Sequence, residues 1–265
     1  MHTSTLLDRK HPLHDIELLR QLHGRQLSTQ VQVLCVIGAH RFQEMRLIVR
    51  VFPRLRHIYL FEPLAELQPA LQALAADDAR IRVFAVAVSD RDGTAPFHVT
   101  DNDGESSSLL AFGSHSELFP EVHVQRTMEV PTRRLESVLT EHGLEPPDVL
   151  LIDVQGAEHQ VLSAMGQSIL EHVRLIYTEV STERVYETAA LLSDVEALLA
   201  PRFLNLGYAP LRPGVPMHGN AVFVALEDAR AALALTTTGR LRQAWRQWRR
   251  QRRAQRAAAS GCDGP

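Results

Sequence analysis

The sequence predicts an α/β fold, a doubly wound, mostly parallel sheet that closes in an antiparallel edge pair. Three observations carry this prediction. Strand-like and helix-like runs alternate along most of the chain. The strand-like runs are apolar throughout, as in strands covered on both faces. The last two have no helix between them, which favours antiparallel neighbours.

Taken in order, Leu13, Ile16, Leu19, Leu22 and Leu27 stand near helical spacing and predict a leading helix over 13–30. A continuous apolar run at 31–38 reads as a strand ending in Gly38. Residues 45–52 read as helix, 57–62 as a strand closed by Glu62 and Pro63, and 64–78 as helix. Residues 81–88 read as one strand, and the alternation at 95–101 as an added antiparallel strand. Residues 101–130 are polar and rich in Gly and Ser, and read as a long loop of the kind that is usually functional or mobile. A helix is expected over 131–143 with Gly143 as its stop, then a strand at 147–154 and a helix at 156–170. A strand at 173–180, a helix at 187–200 and a strand pair at 203–210 and 220–227 complete the core. Three regions follow: an N-terminal helical extension (1–30), a main domain (31–228), and a basic Ala- and Arg-rich helix or tail (229–265).

With 265 residues, 45% hydrophobic and 22% charged, the chain is not a disordered polymer, a collagen-like repeat or a disulfide-stapled miniprotein. The net charge of −3 hides an asymmetry. Residues 240–265 carry eight arginines against Asp263, so the tail is +7 and the rest is −10. An acidic body argues against a nucleic-acid binder. Cys35 and Cys262 form no disulfide framework. No apolar run approaches the ~18–20 residues of a membrane span. Charges stand where a signal peptide needs an apolar centre, so the expected compartment is the cytoplasm. In the tail, Leu241, Trp245 and Trp248 would share one face of a helix over 239–256, with arginines around them. Such a helix suits an anionic membrane surface or an acidic partner, or packs on the acidic body.

Ligands of open α/β sheets bind beyond the carboxyl ends of the strands. The residues after the first strand, Gly38-Ala39-His40-Arg41-Phe42, hold one glycine. A dinucleotide pyrophosphate would need Gly-x-Gly-x-x-Gly for its close approach to backbone and helix N-terminus, and the Walker loop is missing too. A nicotinamide-dependent oxidoreductase is therefore disfavoured. A phosphate-free cofactor such as S-adenosylmethionine needs one close backbone approach and an acid for its ribose hydroxyls. Glu62 ends the second strand 24 residues after Gly38, near the ~20-residue offset of a ribose-binding acid. It reads equally as a solvated strand end. Asp153 is the first charge after the apolar run 149–152, and Gly156 permits a tight turn into the next helix. Glu158 falls in the first helical turn, where an acid is favoured in any case. Glu179 ends the fifth strand, so three acids at strand ends could meet in one pocket. The 13 histidines are scattered, without His-Glu-x-x-His or a zinc-spaced cysteine pair, and no metal site is expected. Ser106, Ser107 and Ser108 form no nucleophile elbow and read as loop residues.

The ordered series LFEP (60–63), AVAVSDRDG (85–93), SSSLL (106–110), VPTRRLESVL (130–139), DVLLIDVQGAEHQVLSAM (148–165), LIYTEV (175–180) and GNAVFV (219–224) resembles the FkbM family of S-adenosylmethionine-dependent methyltransferases. The resemblance covers roughly residues 31–226. Its most specific part is IDVQGAEHQVL. It implies a Rossmann-like class I methyltransferase fold with a seven-stranded sheet ordered 3-2-1-4-5-7-6. It also implies methyl transfer to a hydroxyl, often on a sugar, glycan or secondary metabolite. By matching position, Gly38, Ala39 and His40 would lie along the methionine part of the cofactor. Glu62, beside Pro63, would hold the ribose, and the turn at Val86 would border the adenine. Asp153 would lie near the methyl group and the acceptor. From their places at predicted strand ends, Asp153 is expected to orient the acceptor or accept its proton, with His40 and Glu179 as other candidates.

The first motif departs from the family's D-V-G-A-N-x-G: Val36 replaces the Asp, His40 the Asn and Phe42 the second Gly. Arg41 or Glu44 could then serve the charged end of the cofactor. The departure motivates a second expectation, a catalytically degraded member kept as a binding or scaffold protein.

Overall fold

The computed structural model describes residues 27–43, 45–212 and 215–229. The leading helix expected over 13–30 falls outside them but for its last four residues. So do Glu44, Cys262 and the basic segment 239–256.

The main sheet has seven strands in the order β3-β2-β1-β7-β8-β10-β9. They are β1 (Val33–Ile37), β2 (His57–Phe61), β3 (Ile81–Phe84), β7 (Val149–Ile152), β8 (Leu175–Ser181), β9 (Phe203–Arg212) and β10 (Val215–Ala225). β1 pairs in parallel with β2 and β7, and β8 continues the parallel set beside β7. β10 runs antiparallel to both β8 and β9. Its N-terminal half therefore lies at the edge where β1, β7 and β8 end, with His218 opposite Ser181 and Asn220 opposite Glu179.

Every residue of β1 is buried, as central strands require. Leu34 and Val36 join Ile58 and Leu60 in one core, which also takes Ile48 and Val51 of α1 (Met45–Val51). Val33, Cys35 and Ile37 face the opposite core. There they join Leu135, Val138 and Leu139 of α4 (Leu135–Glu141), Val161 and Leu162 of α5 (Glu158–Ser163), and Ile169 of α6 (Gln167–His172). Each fully buried aliphatic side chain contributes about 1.5–3 kcal/mol. The remaining helices are α2 (Gln68–Asp77), α3 (His115–Leu118) and α7 (Leu192–Leu199). Among the described residues, no helix is long and apolar enough to cross a membrane.

Three elements differ from the sequence reading. The run 81–88 is two strands in two sheets. β3 ends at Phe84, and β4 (Ala87–Val88) pairs with β6 (Val124–Arg133) in a second sheet ordered β4-β6-β5, with β5 spanning Gly93–Thr100. An unbroken apolar run carries no mark of where a chain changes sheets. The stretch 101–130 is only partly loop, since its end enters β6, whose residues 124–129 are largely exposed and lack the alternation that marks a strand. The expected helix over 156–170 breaks into α5 and α6 at Gly166. A Cβ there would stand 2.3 Å from Oε1 of Glu136, so the glycine leaves room for that carboxylate.

Candidate functional site

The turn after β1 is bound on both sides. The Gly38 and Ala39 N–H groups both donate to the Phe61 carbonyl at 3.0 Å, and the Asp153 N–H donates to the Ile37 carbonyl at 2.9 Å. Gly38 has φ +79°, and a Cβ there would lie 1.7 Å from the Asp153 carbonyl oxygen. The chain then turns left-handed again at His40 (φ 46°) and Phe42 (φ 45°). These are the two positions where the expected pattern has Asn and Gly, the residues that best tolerate this conformation. A larger side chain there costs roughly 1–2 kcal/mol. At Phe42 the cost is offset by the ring, which is buried in the core that holds Val36, Ala39 and Ile48.

Glu62 follows β2 and is 5% exposed. Its Oε2 accepts the His40 N–H and its Oε1 the Leu64 N–H, both at 2.9 Å. Burial raises its pKa, against the pull of these two hydrogen bonds. Each oxygen keeps a further acceptor position. A carboxylate so fixed between two strand ends suits a vicinal diol, so the residues present fit a ribose. Pro63 is half-buried in the same turn, and Val86 lies at the break between β3 and β4. The loop 101–107 folds against this wall. Asp103 accepts two hydrogen bonds from the Arg41 guanidinium, at 3.0 and 2.9 Å, and its carbonyl lies 3.0 Å from His40 Nε2.

A second cluster stands beyond β7 and β8. Asp153 follows β7 and its side chain is solvent-accessible. Gln155, held left-handed at φ 54°, organises its neighbours. Its amide nitrogen donates to Oδ1 of Asp153 and to Oε2 of Glu179, each at 2.6 Å, and its oxygen accepts the Tyr186 hydroxyl at 2.5 Å. The other oxygen of Glu179 is 3.3 Å from His218 Nε2, and His218 Nδ1 is 2.8 Å from Ser181 Oγ. Gly156 leaves space for the Tyr186 ring, which a Cβ would approach to 2.9 Å. Ser108 Oγ donates to the Gln155 carbonyl at 2.7 Å, tying the loop to this turn. Loss of water around Asp153, together with the Glu179 and Glu158 charges, lifts its pKa well above the usual carboxylate range. Burial and Glu179 lift Glu158 to about 7. For His218, burial alone would lower the pKa, but Glu179, Glu158 and Asp153 together raise it to about 9.

The structure thus brings Asp153 and Glu179 together through Gln155. His40 hydrogen-bonds Glu62 and the 101–107 loop instead. Arg41 is committed to Asp103. Glu158 accepts the Val154 and Gly156 N–H groups at 3.1 Å, which fixes the turn into α5. Sequence reasoning missed Gln155, Tyr186, Ser181 and His218. The one available signal was for His218: an antiparallel last strand brings its first residues, not its last, to the ligand edge.

Comparison with known proteins gives one consistent direction. Residues 37–210 match the Methyltransferase FkbM domain family. The chain is 32% identical over 198 residues to the 2-O-methyltransferase NoeI of Sinorhizobium fredii, covering 71% of this chain and 79% of that protein. It is 27% identical over 175 residues to the AMB antimetabolite synthetase AmbE of Pseudomonas aeruginosa, covering 56% of this chain and only 8% of that protein. Among solved structures, a methyltransferase FkbM from Methylobacillus flagellatus KT superposes with a TM-score of 0.50 at 13% identity. That match covers 80% of this chain and 58% of the other, and it bears on the fold alone.

Proposed function

Because this chain belongs to the methyltransferase FkbM family, and its cofactor is S-adenosylmethionine, we propose that it methylates a hydroxyl oxygen of a small molecule or glycan. The observation that carries the oxygen acceptor is the Asp153–Gln155–Glu179 cluster beyond β7 and β8. A hydroxyl needs a proton acceptor as its oxygen is alkylated, and a positioned carboxylate is worth roughly 10²–10⁴-fold. The name of the relative NoeI, a 2-O-methyltransferase, supports the same reading.

The bound sulfonium supplies an activated methyl group. The rest falls to this chain. The Gly38 turn admits the cofactor's backbone-close part, and Glu62 accepts the ribose hydroxyls. Asp153 faces the acceptor, because among the three carboxylates it is the solvent-accessible one. Glu179 is committed to His218 and Gln155, and Glu158 to two backbone N–H groups. Asp153 takes the hydroxyl proton and holds the oxygen within about 3–3.5 Å of the reacting carbon.

Methyl transfer from radiolabelled S-adenosylmethionine to a panel of free sugars, oligosaccharides and phenolic alcohols tests this reading. The wild type is expected to label a hydroxyl, and Asp153→Ala to lose at least 10²-fold in turnover with cofactor affinity little changed. Full turnover and full affinity in Asp153→Ala would discard the assignment. One observation favours a second reading, a binding protein without turnover: His40 and Phe42 in place of the family's Asn and Gly. A folded wild type that fails to bind the cofactor in calorimetry would select it.

A further inference from the structure

The acceptor side of the cleft holds three carboxylates, Asp153, Glu158 and Glu179, on one patch of the strand edge. Glu158 and Glu179 are buried, and three like charges this close oppose one another's ionisation unless a positive charge offsets them. His218 is placed to supply it. It is 4% exposed and anchored on β10 opposite Ser181. Its Nε2 is 3.3 Å from Glu179, itself 4% exposed, and its Nδ1 is 2.8 Å from Ser181 Oγ. Two hydrogen bonds from one amide then join Glu179 to Asp153, each at 2.6 Å. We propose that His218 is a positioning residue: held as an imidazolium between Glu179 and Ser181, it offsets the Glu179 charge and so eases the ionisation of Asp153, the group that takes the acceptor proton. This rests on the reading of Asp153 as the proton acceptor.

The groups around His218 leave this role to it. Asp153 comes from the end of β7, Glu158 from α5, and Glu179 and Ser181 from β8. From β9, Tyr208 is neutral, since burial and Glu179 push it up to about 12. Tyr186, beside Gln155, is neutral for the same kind of reason. From α3, His115 is buried against Phe112 at 3.9 Å and its Nδ1 has no hydrogen-bond partner. Burial and the His218 charge hold it low, at about 4, while Glu179 and Glu121 pull the other way, so it adds no positive charge. A neutral His218 accepting from Ser181 would leave three carboxylates without a cation among these described groups. Nothing would then offset the charge that Glu179 sets against Asp153, and Asp153 would hold its proton to higher pH, since the His218 charge is one of the groups that lower its pKa.

The test uses the cofactor-free full chain and needs no acceptor. Imidazole ¹⁵N and carboxyl ¹³C NMR titrations follow His218 and Asp153, assigned by His218→Gln and Asp153→Asn. In the wild type, His218 is expected to carry two ring protons at pH 7.5. In His218→Gln, the Asp153 midpoint should rise by one pH unit or more, and His218→Lys should restore it. A neutral His218 in the wild type at pH 7.5 overturns the proposal, whether or not the variants fold. So does an Asp153 midpoint that is unmoved in a folded His218→Gln. Failure of the methyltransferase reading is separate: it appears as absent cofactor binding or an active Asp153→Ala, and neither enters this titration.

Discussion

Gly38 lies directly against the backbone of Asp153, so close that a Cβ on Gly38 would stand 1.7 Å from the Asp153 carbonyl oxygen. The turn after β1 and the end of β7 are thus one packed unit. Gly38→Ala must both displace the end of β7 and hold an L-residue at φ +79°. We expect it to lose about 2–4 kcal/mol of stability and at least tenfold in cofactor affinity. Urea unfolding and calorimetry measure the two; native stability in the variant would contradict the packing described.

The left-handed residues His40 and Phe42 should respond in opposite ways. Phe42→Gly relieves about 1 kcal/mol of backbone strain but removes a ring that is 3% exposed, a deletion of the class that costs about 3–5 kcal/mol. A net loss of about 2–4 kcal/mol is expected. His40→Asn keeps the N–H that Glu62 accepts and eases the backbone, so its stability should stay within about 1 kcal/mol of wild type. Equilibrium denaturation of the pair checks the contrast, and a stabilised Phe42→Gly would show that the ring adds nothing to the core.

The Arg41–Asp103 pair is half open to solvent, with side chains 37% and 62% exposed. Its stability contribution should be under about 1 kcal/mol and screened by salt. Its effect should instead be local, on the loop 101–107 that it ties to the β1 turn. Arg41→Ala is expected to speed proteolysis within 101–107 while leaving the melting temperature within a few degrees. Unchanged cleavage would mean that the Ser108–Gln155 contact holds the loop unaided.

Stability should fall from neutral to alkaline pH. His218 is raised from 6.5 to about 9, so its contribution is fully present below about pH 6.5 and is lost as pH climbs through about 9. This amounts to on the order of 3 kcal/mol. Glu158 is raised to about 7, so the stability tied to its protonated form is likewise lost between about pH 4.5 and 7. His115, lowered from 6.5 to about 4, acts in the opposite direction between about pH 4 and 6.5 and offsets Glu158 there. Thermal melts from pH 5 to 9.5 should therefore show a decline above about pH 6.5 that is missing in His218→Gln. A wild-type profile that rises across pH 7–9 would reverse the sign assigned to His218.

Much of the main sheet is legible, because buried parallel strands are long apolar runs: Gly38, Glu62 and Asp153 directly follow β1, β2 and β7, whereas Glu179, expected to end its strand, lies inside β8, two residues before Ser181. The second sheet is not. Its strand β6 is exposed along 124–129, so burial leaves no period in the sequence. The break after Phe84 was invisible because both segments are apolar. The site was read in part. Strand ends locate carboxylates, but they do not say which carboxylates a neutral amide will join. Gln155, which bridges Asp153 and Glu179, carries no mark of that role in the sequence. His218 lay before the run that marked the last strand, and only the antiparallel direction of β10 brings it to the site.

Isothermal calorimetry with S-adenosylmethionine, on the wild type and on Glu62→Gln, bears most directly on the cofactor site. Glu62 is fixed by the His40 and Leu64 N–H groups, and each of its oxygens keeps a further acceptor position, which the proposed reading gives to the ribose diol. A charged hydrogen bond of this kind is worth about 1.5–3 kcal/mol, so Glu62→Gln should bind roughly 10–100-fold more weakly than a wild type that binds one cofactor per chain. A folded wild type that takes up no cofactor, or a Glu62→Gln variant that binds as tightly as the wild type, would contradict the site described above.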